Sequence, residues 1–214
     1  MCMIVVLFVL LLSSCPSSLH AADLFPDAPE YPSDPTVPFK AVGSYEEALQ
    51  VWKAPEDING WIAANFAYDT ARALRLSETQ RTKDGGIPIF TPAEVFATKT
   101  GVCVDLARFG VETLRRIDPA SDPKYLMIEF DPMQISGNTL RLHWLASFRR
   151  DGKIYFFSDS KRPGYIAGPY NGAWDFINEY ASYRGRKIVT FRELQSYQKQ
   201  RRTKLLKQKA SVKP

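Results

Sequence analysis

The apolar pattern of this chain changes period once, near residue 120, and that change sets the order in which it can build structure. Before it, hydrophobic positions recur at threes and fours; from Lys124 onward they fall in short runs separated by turn residues. Helices come first and strands follow. Ser44-Tyr45-Glu46-Glu47 has the spacing of a capping box and opens a short helix that Pro55 ends or redirects. Ile58, Trp61, Ile62, Asn65, Phe66, Asp69 and Ala73 then form one helical stripe, broken by Lys83-Asp84-Gly85-Gly86. Thr91-Pro92-Ala93-Glu94 is a second capping box, with proline at the first helical position. A further helix starts after Thr100-Gly101, where Ala107, Gly110, Val111, Leu114 and Ile117 keep helical spacing with Cys103.

The strands read as Tyr125 to Phe130, Thr139 to Arg149 and Lys153 to Ser158, with Pro132 to Asn138 and Arg150-Asp151-Gly152 as connections. The last two strands form a hairpin whose register decides which side chains share a face. A two-residue Asp151-Gly152 turn sets Asp159 opposite Trp144. A three-residue loop with Gly152 in the left-handed bulge position sets Asp159 opposite His143. The second register collects Leu140, Leu142, Trp144, Ala146, Phe148, Ile154 and Phe156 into one continuous apolar face, and is the expectation adopted here. It brings the Asp159 carboxylate within roughly 5 Å of the His143 imidazole at the level of Cβ.

Cys103 and His143 are the only cysteine and the only histidine after the first 22 residues. A thiol in the first turn of a helix meets unpaired backbone N–H groups and the positive end of the dipole, so its pKa is expected to fall. Structural use as a small buried hydrophobe is the competing account. One cysteine and one histidine make a poor zinc set, so no metal and no cofactor are expected.

Residues 1–22 read as an export signal, with an apolar core too short to span a membrane. Two cleavage readings compete: a lipoprotein signal ending at Leu12-Ser13-Ser14-Cys15, which would make Cys15 the lipidated first residue and membrane anchor, and ordinary cleavage near Leu19-His20-Ala21. The first is preferred, placing the protein in the periplasm or on a membrane of a bacterial envelope. Within residues 23–40, Pro26, Pro29, Pro32, Pro35 and Pro38 repeat every third residue, in phase with polyproline II. As an extended tether Pro26 to Pro38 would span on the order of 37 Å; as a surface strap it would be pinned by Phe25, Tyr31 and Phe39. Residues 41–198 suit one domain. From Lys199 to the C terminus the chain carries seven basic residues and no acid, more than its formal net charge of +5, so the rest is slightly acidic. The basic character belongs to the tail, residues 199–214, and nucleic-acid binding is not expected.

Gly101-Val102-Cys103-Val104-Asp105-Leu106-Ala107, Leu142-His143-Trp144 and Phe157-Ser158-Asp159 together resemble the nucleophile, histidine and acid segments of the transglutaminase-like superfamily of papain-related cysteine enzymes, in the same order. The likeness runs from about Ile58 to Tyr170. It implies an α+β fold with a transglutaminase-like, papain-like core: an antiparallel sheet with the nucleophile helix packed against it. It also implies a catalytic triad of Cys103, His143 and Asp159 acting on a protein, peptide or other amide through a thioester. An upstream side chain would help the Cys103 backbone N–H bind the oxyanion. Trp61 and Asn65 are candidates for that role, while Trp144, Arg162 and Tyr165 are candidates for shaping the substrate cleft. Hydrolysis by a peptidase or amidase, crosslinking by acyl transfer, and non-catalytic binding in the cell envelope all remain open at this point.

Overall fold

The computed structural model describes residues 25–84 and 86–198. The expected export signal, Cys15 and the basic tail lie outside the described residues. The first half of the chain is helical: α1 (Tyr45–Val51), α2 (Pro55–Asn65), α3 (Thr70–Arg75), α4 (Glu78–Asp84), α5 (Pro92–Thr98) and α6 (Cys103–Ile117). Ser44 caps α1 by accepting from the Glu47 N–H, and Thr91 with Glu94 closes the capping box of α5. The stripe from Ile58 to Ala73 is not one helix. It breaks at Phe66 because β1 (Ala67–Tyr68) extends to pair in parallel with β2 (Thr100–Gly101), and Asp69 then caps a new helix by accepting from the Arg72 N–H.

A five-stranded antiparallel sheet follows, in the order β6-β5-β4-β3-β7. Its strands are β3 (Lys124–Ile135), β4 (Asn138–Arg150), β5 (Lys153–Phe157), β6 (Ala167–Tyr170) and β7 (Ile188–Leu194), with α7 (Ala173–Arg184) between the last two. The fold is α+β, as the resemblance implies. β3 runs beyond the expected Phe130, through an irregularity between Glu129 and Met133, to a tight turn at Ser136-Gly137.

The sheet is buried on both faces, and this overturns the expectation of a single apolar side. Tyr125, Met127, Trp144, Ala146, Phe148 and Phe157 pack under the helices of the first half, against Trp52, Trp61, Leu106 and Phe109. Leu126, Ile128, Phe130, Leu145, Ile154 and Phe156 pack on the opposite face under Phe176, Ile177 and Tyr180 of α7. Neighbouring residues in a strand point to opposite faces, so a strand covered on both sides reads as a continuous apolar run.

The β4–β5 register also differs from the one chosen above. Ala146 pairs with Phe157 and Arg150 with Lys153, across a two-residue turn in which Asp151 and Gly152 have φ of 52° and 73°. Positive φ at both central residues gives the twist that matches two right-handed strands. In that register Asp159 would lie across from Trp144 were the strand to continue. It does not continue: β5 ends at Phe157, and Ser158 turns into the left-handed region at φ 54°. One residue of reversed curvature sends Asp159 back to the face of His143.

Gly110 lets α6 approach this corner. A Cβ there would overlap the Ser158 hydroxyl and come within 2.9 Å of Ser158 Cβ and 3.2 Å of Ala146 Cβ. Gly110→Ala should therefore destabilise the fold by about 1–3 kcal/mol through overpacking, read as a lowered midpoint in chemical denaturation, whereas Gly152→Ala, which meets no neighbour, should cost only the strain of its positive φ.

Candidate active site

Cys103 begins α6 because Asp105, two residues on, holds the entry to the helix. Its carboxylate accepts from the Val102 N–H (3.0 Å), the Phe90 N–H (2.8 Å) and both Nε (2.6 Å) and Nη2 (2.9 Å) of Arg72. Both side chains are buried, at 0% and 8% exposure. The nucleophile segment is thus clamped from three sides before any substrate arrives. The Cys103 thiol is also buried, with Sγ 3.9 Å from the Leu142 carbonyl oxygen. β5 pairs with β4 only from Ala146 onward, and the helix start abuts the uncovered stretch of β4 that carries His143.

His143 is fully buried and contacted at both ring nitrogens. Nε2 lies 3.0 Å from Asp159 Oδ1 and 2.9 Å from the Tyr180 hydroxyl. Tyr180 donates to Asp159 Oδ2 (3.0 Å) and accepts from Arg184 Nη1 (2.8 Å), so helix α7 supplies a second layer behind the carboxylate. The Tyr180 ring also stacks on the imidazole, with centroids 5.8 Å apart. On the other side, Nδ1 lies 3.0 Å from Oδ1 of Asp27, a residue of the proline-rich segment. That contact is a close ion pair without hydrogen-bond alignment. Arg184 Nη2 reaches the same oxygen at 2.7 Å.

The charges act on one another strongly here because water is excluded. Burial alone would push the His143 pKa down, but Asp27 and Asp159 outweigh it and raise it well above the ordinary value, so the ring is held as imidazolium. Burial alone would raise Asp159, yet His143 and Arg184 bring it down to about 2. Asp27 is lowered further, against its own burial, by the same two cations. Cys103 goes the opposite way from the sequence expectation. Burial lifts the thiol above its usual range, the Asp27 charge adds to the rise, and the pull of His143 does not offset them.

Cys103, His143 and Asp159 are brought together. Trp144 and Cys103 line a cleft of about 1260 Å³ that also takes in Asp27, Tyr68, Arg81, Leu140 and Tyr197. The other candidates sit elsewhere. Trp61 is a core residue stacked on Phe96 at 5.1 Å, and Asn65 donates to the Trp61 carbonyl at the end of α2. Arg162 reaches Asp159 Oδ2 at 3.5 Å from behind and lies over the rings of Tyr165 and Tyr183, while Tyr165 is half-exposed away from the cleft. Sequence reasoning missed Asp27, Tyr180 and Arg184. The i,i+4 spacing of the last two on α7 marks them as neighbours without saying what they face.

Asp27, Cys103 and His143 offer ligand atoms within 4.8 Å of one another, among the described residues a grouping that could hold a metal ion. A cation seated there would face the Arg184 guanidinium, 2.7 Å from the shared Asp27 oxygen, so the donor set fits a metal poorly.

Residues 45–188, more than half of the chain, match a family model described as a transglutaminase-like domain, DUF553. No curated protein matches the chain.

The cluster has a signed pH signature. The raised His143 stabilises the folded state fully below 6.5 and loses that contribution as pH rises through its elevated pKa; Asp159 contributes fully above 3.8 and loses it as pH falls toward 2. Unfolding free energy measured by urea titration should therefore peak between those ordinary values as far as this cluster is concerned. Carbon chemical shifts of the His143 ring at pH 7.5 should report a doubly protonated imidazole, and Asp159→Asn should move its titration downward.

Proposed function

Since the chain belongs to the transglutaminase-like domain family, with a buried cysteine–histidine–aspartate cluster that marks a cysteine enzyme, we propose that it is an exported cysteine hydrolase, a peptidase or amidase working through a thioester. The observation that carries this reading is the convergence of the Cys103 sulfur, the His143 imidazole and the Asp159 carboxylate, with Cys103 lining one large cleft. In the reaction, once the imidazolium has given its Nδ1 proton to solvent, the thiol proton passes to that nitrogen as Sγ bonds to the amide carbon. The carbonyl oxygen takes the negative charge. Collapse of this adduct expels the amine, which leaves with the proton returned from Nδ1, and the acyl group stays on sulfur. Water, deprotonated by the same nitrogen, then attacks the thioester; acid and free thiol are restored. Asp159, fixed by Tyr180 and the Lys161 N–H, holds the ring by Nε2 and stabilises its charged form.

The oxyanion falls to the Cys103 backbone N–H and a second donor. Tyr68 supplies it in this reading. Its pairing with Gly101 sets it beside the nucleophile segment, its ring lines the cleft, and burial with the charges of Asp27 and Cys103 keeps the phenol protonated. In the cell the protein would act in the envelope, held at a membrane through a lipidated Cys15.

The test is a product screen with purified protein on a glutamine-containing protein, a peptidoglycan peptide and a small amide, each with and without a fluorescent primary amine. Acid and ammonia or a free amine are the expected products, and Cys103→Ser or His143→Ala should lower the rate by at least about 10³-fold. Amine incorporated into product would replace hydrolysis with acyl transfer. Turnover insensitive to both substitutions would leave a binding module.

A further inference from the structure

One of the two carboxylates at His143 comes from a segment that precedes the matched residues 45–188. The segment is gripped rather than merely adjacent. Arg184 Nη2 donates to the Pro26 carbonyl and to Asp27 Oδ1, both at 2.7 Å, and the Arg184 side chain is only 2% exposed. Ser160 Oγ donates to the Asp27 carbonyl at 2.8 Å, the Glu30 N–H reaches the Lys161 carbonyl at 3.1 Å, and the Tyr183 hydroxyl donates to Glu30 at 2.6 Å. Asp27 and Ala28 are buried, whereas Tyr31, Pro32, Asp34, Pro35 and Thr36 are exposed. A short acidic peptide thus lies in a notch made for it, on an accessible connector.

What Asp27 does there opposes the chemistry. Nε2 is engaged by Asp159 and Tyr180, which leaves Nδ1 to receive the thiol proton, yet the Asp27 carboxylate sits 3.0 Å from Nδ1 and favours its protonated form. A fixed negative charge within 4.8 Å of the sulfur also disfavours the thiolate that must attack. Lifting the carboxylate away frees the base and removes the repulsion in one motion, leaving Arg184 and His143 facing an empty carboxylate site.

We propose that the notch formed by Arg184, Ser160 and His143 is an inhibitory carboxylate-binding site, filled in cis by Asp27, and that the N-terminal strap keeps the thiol latent until it is displaced. The proposal rests on reading Cys103 and His143 as nucleophile and base. It needs no substrate to test, because iodoacetamide reports thiolate directly and each unit of thiol pKa changes its fraction about tenfold.

In the full-length protein at pH 7, Asp27→Asn should speed alkylation of Cys103 at least about tenfold. A second form keeps Asp27 and carries a specific protease site in place of Ser33–Thr36. Cutting it and removing the N-terminal fragment should give the same acceleration, and a synthetic Phe25–Glu30 peptide should reverse it while its Asp27→Asn counterpart does not. Unchanged or slower alkylation in both forms overturns the latch. Fast alkylation with no turnover on any amide keeps the latch and removes the hydrolase reading. Slow, unchanged alkylation alongside genuine turnover does the reverse.

Discussion

Everything in the site depends on four charges sharing one dry pocket: the carboxylates of Asp27 and Asp159, the imidazolium of His143 and the guanidinium of Arg184. Stripping water from an ion costs several kcal/mol even after relaxation, so such a group persists only where the opposing charges meet at contact distance with their remaining hydrogen bonds satisfied. Here they do. Asp159 accepts from His143, Tyr180 and the Lys161 N–H, and Arg184 spreads its donors over Tyr180, Asp27 and the Pro26 carbonyl. A cluster of this kind adds little net stability but allows few arrangements. Moving any member strands the others, and this is why elements far apart in the chain are held to one geometry.

The backbone meets that demand by local irregularity. A regular β5 in the observed register would aim Asp159 at the Trp144 side of the sheet; the left-handed turn at Ser158 corrects it. A bulkier residue than Gly110 would push Ser158 out of place, so the position of the acid is set partly by the helix that carries the nucleophile. At the other end of the same helix face, Asp105 and Arg72 tie the Cys103 turn to α3 and to the segment before α5. Burying that second ion pair serves position in the same way as the first.

The residues most legible from sequence were those whose chemistry is scarce. A lone cysteine at a helix start and a lone histidine in a strand pointed to each other without coordinates, and two helix starts followed from cap spacings: the Thr91–Glu94 box is kept, while at Ser44 only the bond from the Glu47 N–H forms and Glu47 accepts from the Gly43 N–H instead. Asp159 was reached by a wrong register. The three-residue loop assumed for Arg150-Asp151-Gly152 and the missed turn at Ser158 each shift parity by one, and the two errors cancel. The thiol pKa failed for a different reason. A helix N terminus speaks only of local dipoles, whereas burial and the Asp27 charge arise from tertiary packing. Asp27, Tyr180 and Arg184 were invisible because nothing in a proline repeat or an ordinary amphipathic helix says which face meets the active site. Of the two readings given to the proline-rich segment, the Asp27 and Phe39 contacts have the geometry of a strap, although Tyr31, offered as one of its pins, is 77% exposed.

The strap also bears on why an imidazolium stands where a base is needed. With Asp27 in place the two buried carboxylates match the His143 and Arg184 cations around a neutral thiol, with the less buried Arg162 3.5 Å behind Asp159. Without Asp27 the remaining set is one carboxylate against two cations, an excess positive charge beside the sulfur. That imbalance is relieved either by a thiolate, which restores neutrality through ionisation of Cys103, or by loss of the Nδ1 proton, which yields the free base. Both outcomes are the working states of a cysteine enzyme. The same electrostatics that make the closed arrangement stable therefore make the open one reactive, and a single carboxylate on a separable segment decides between them.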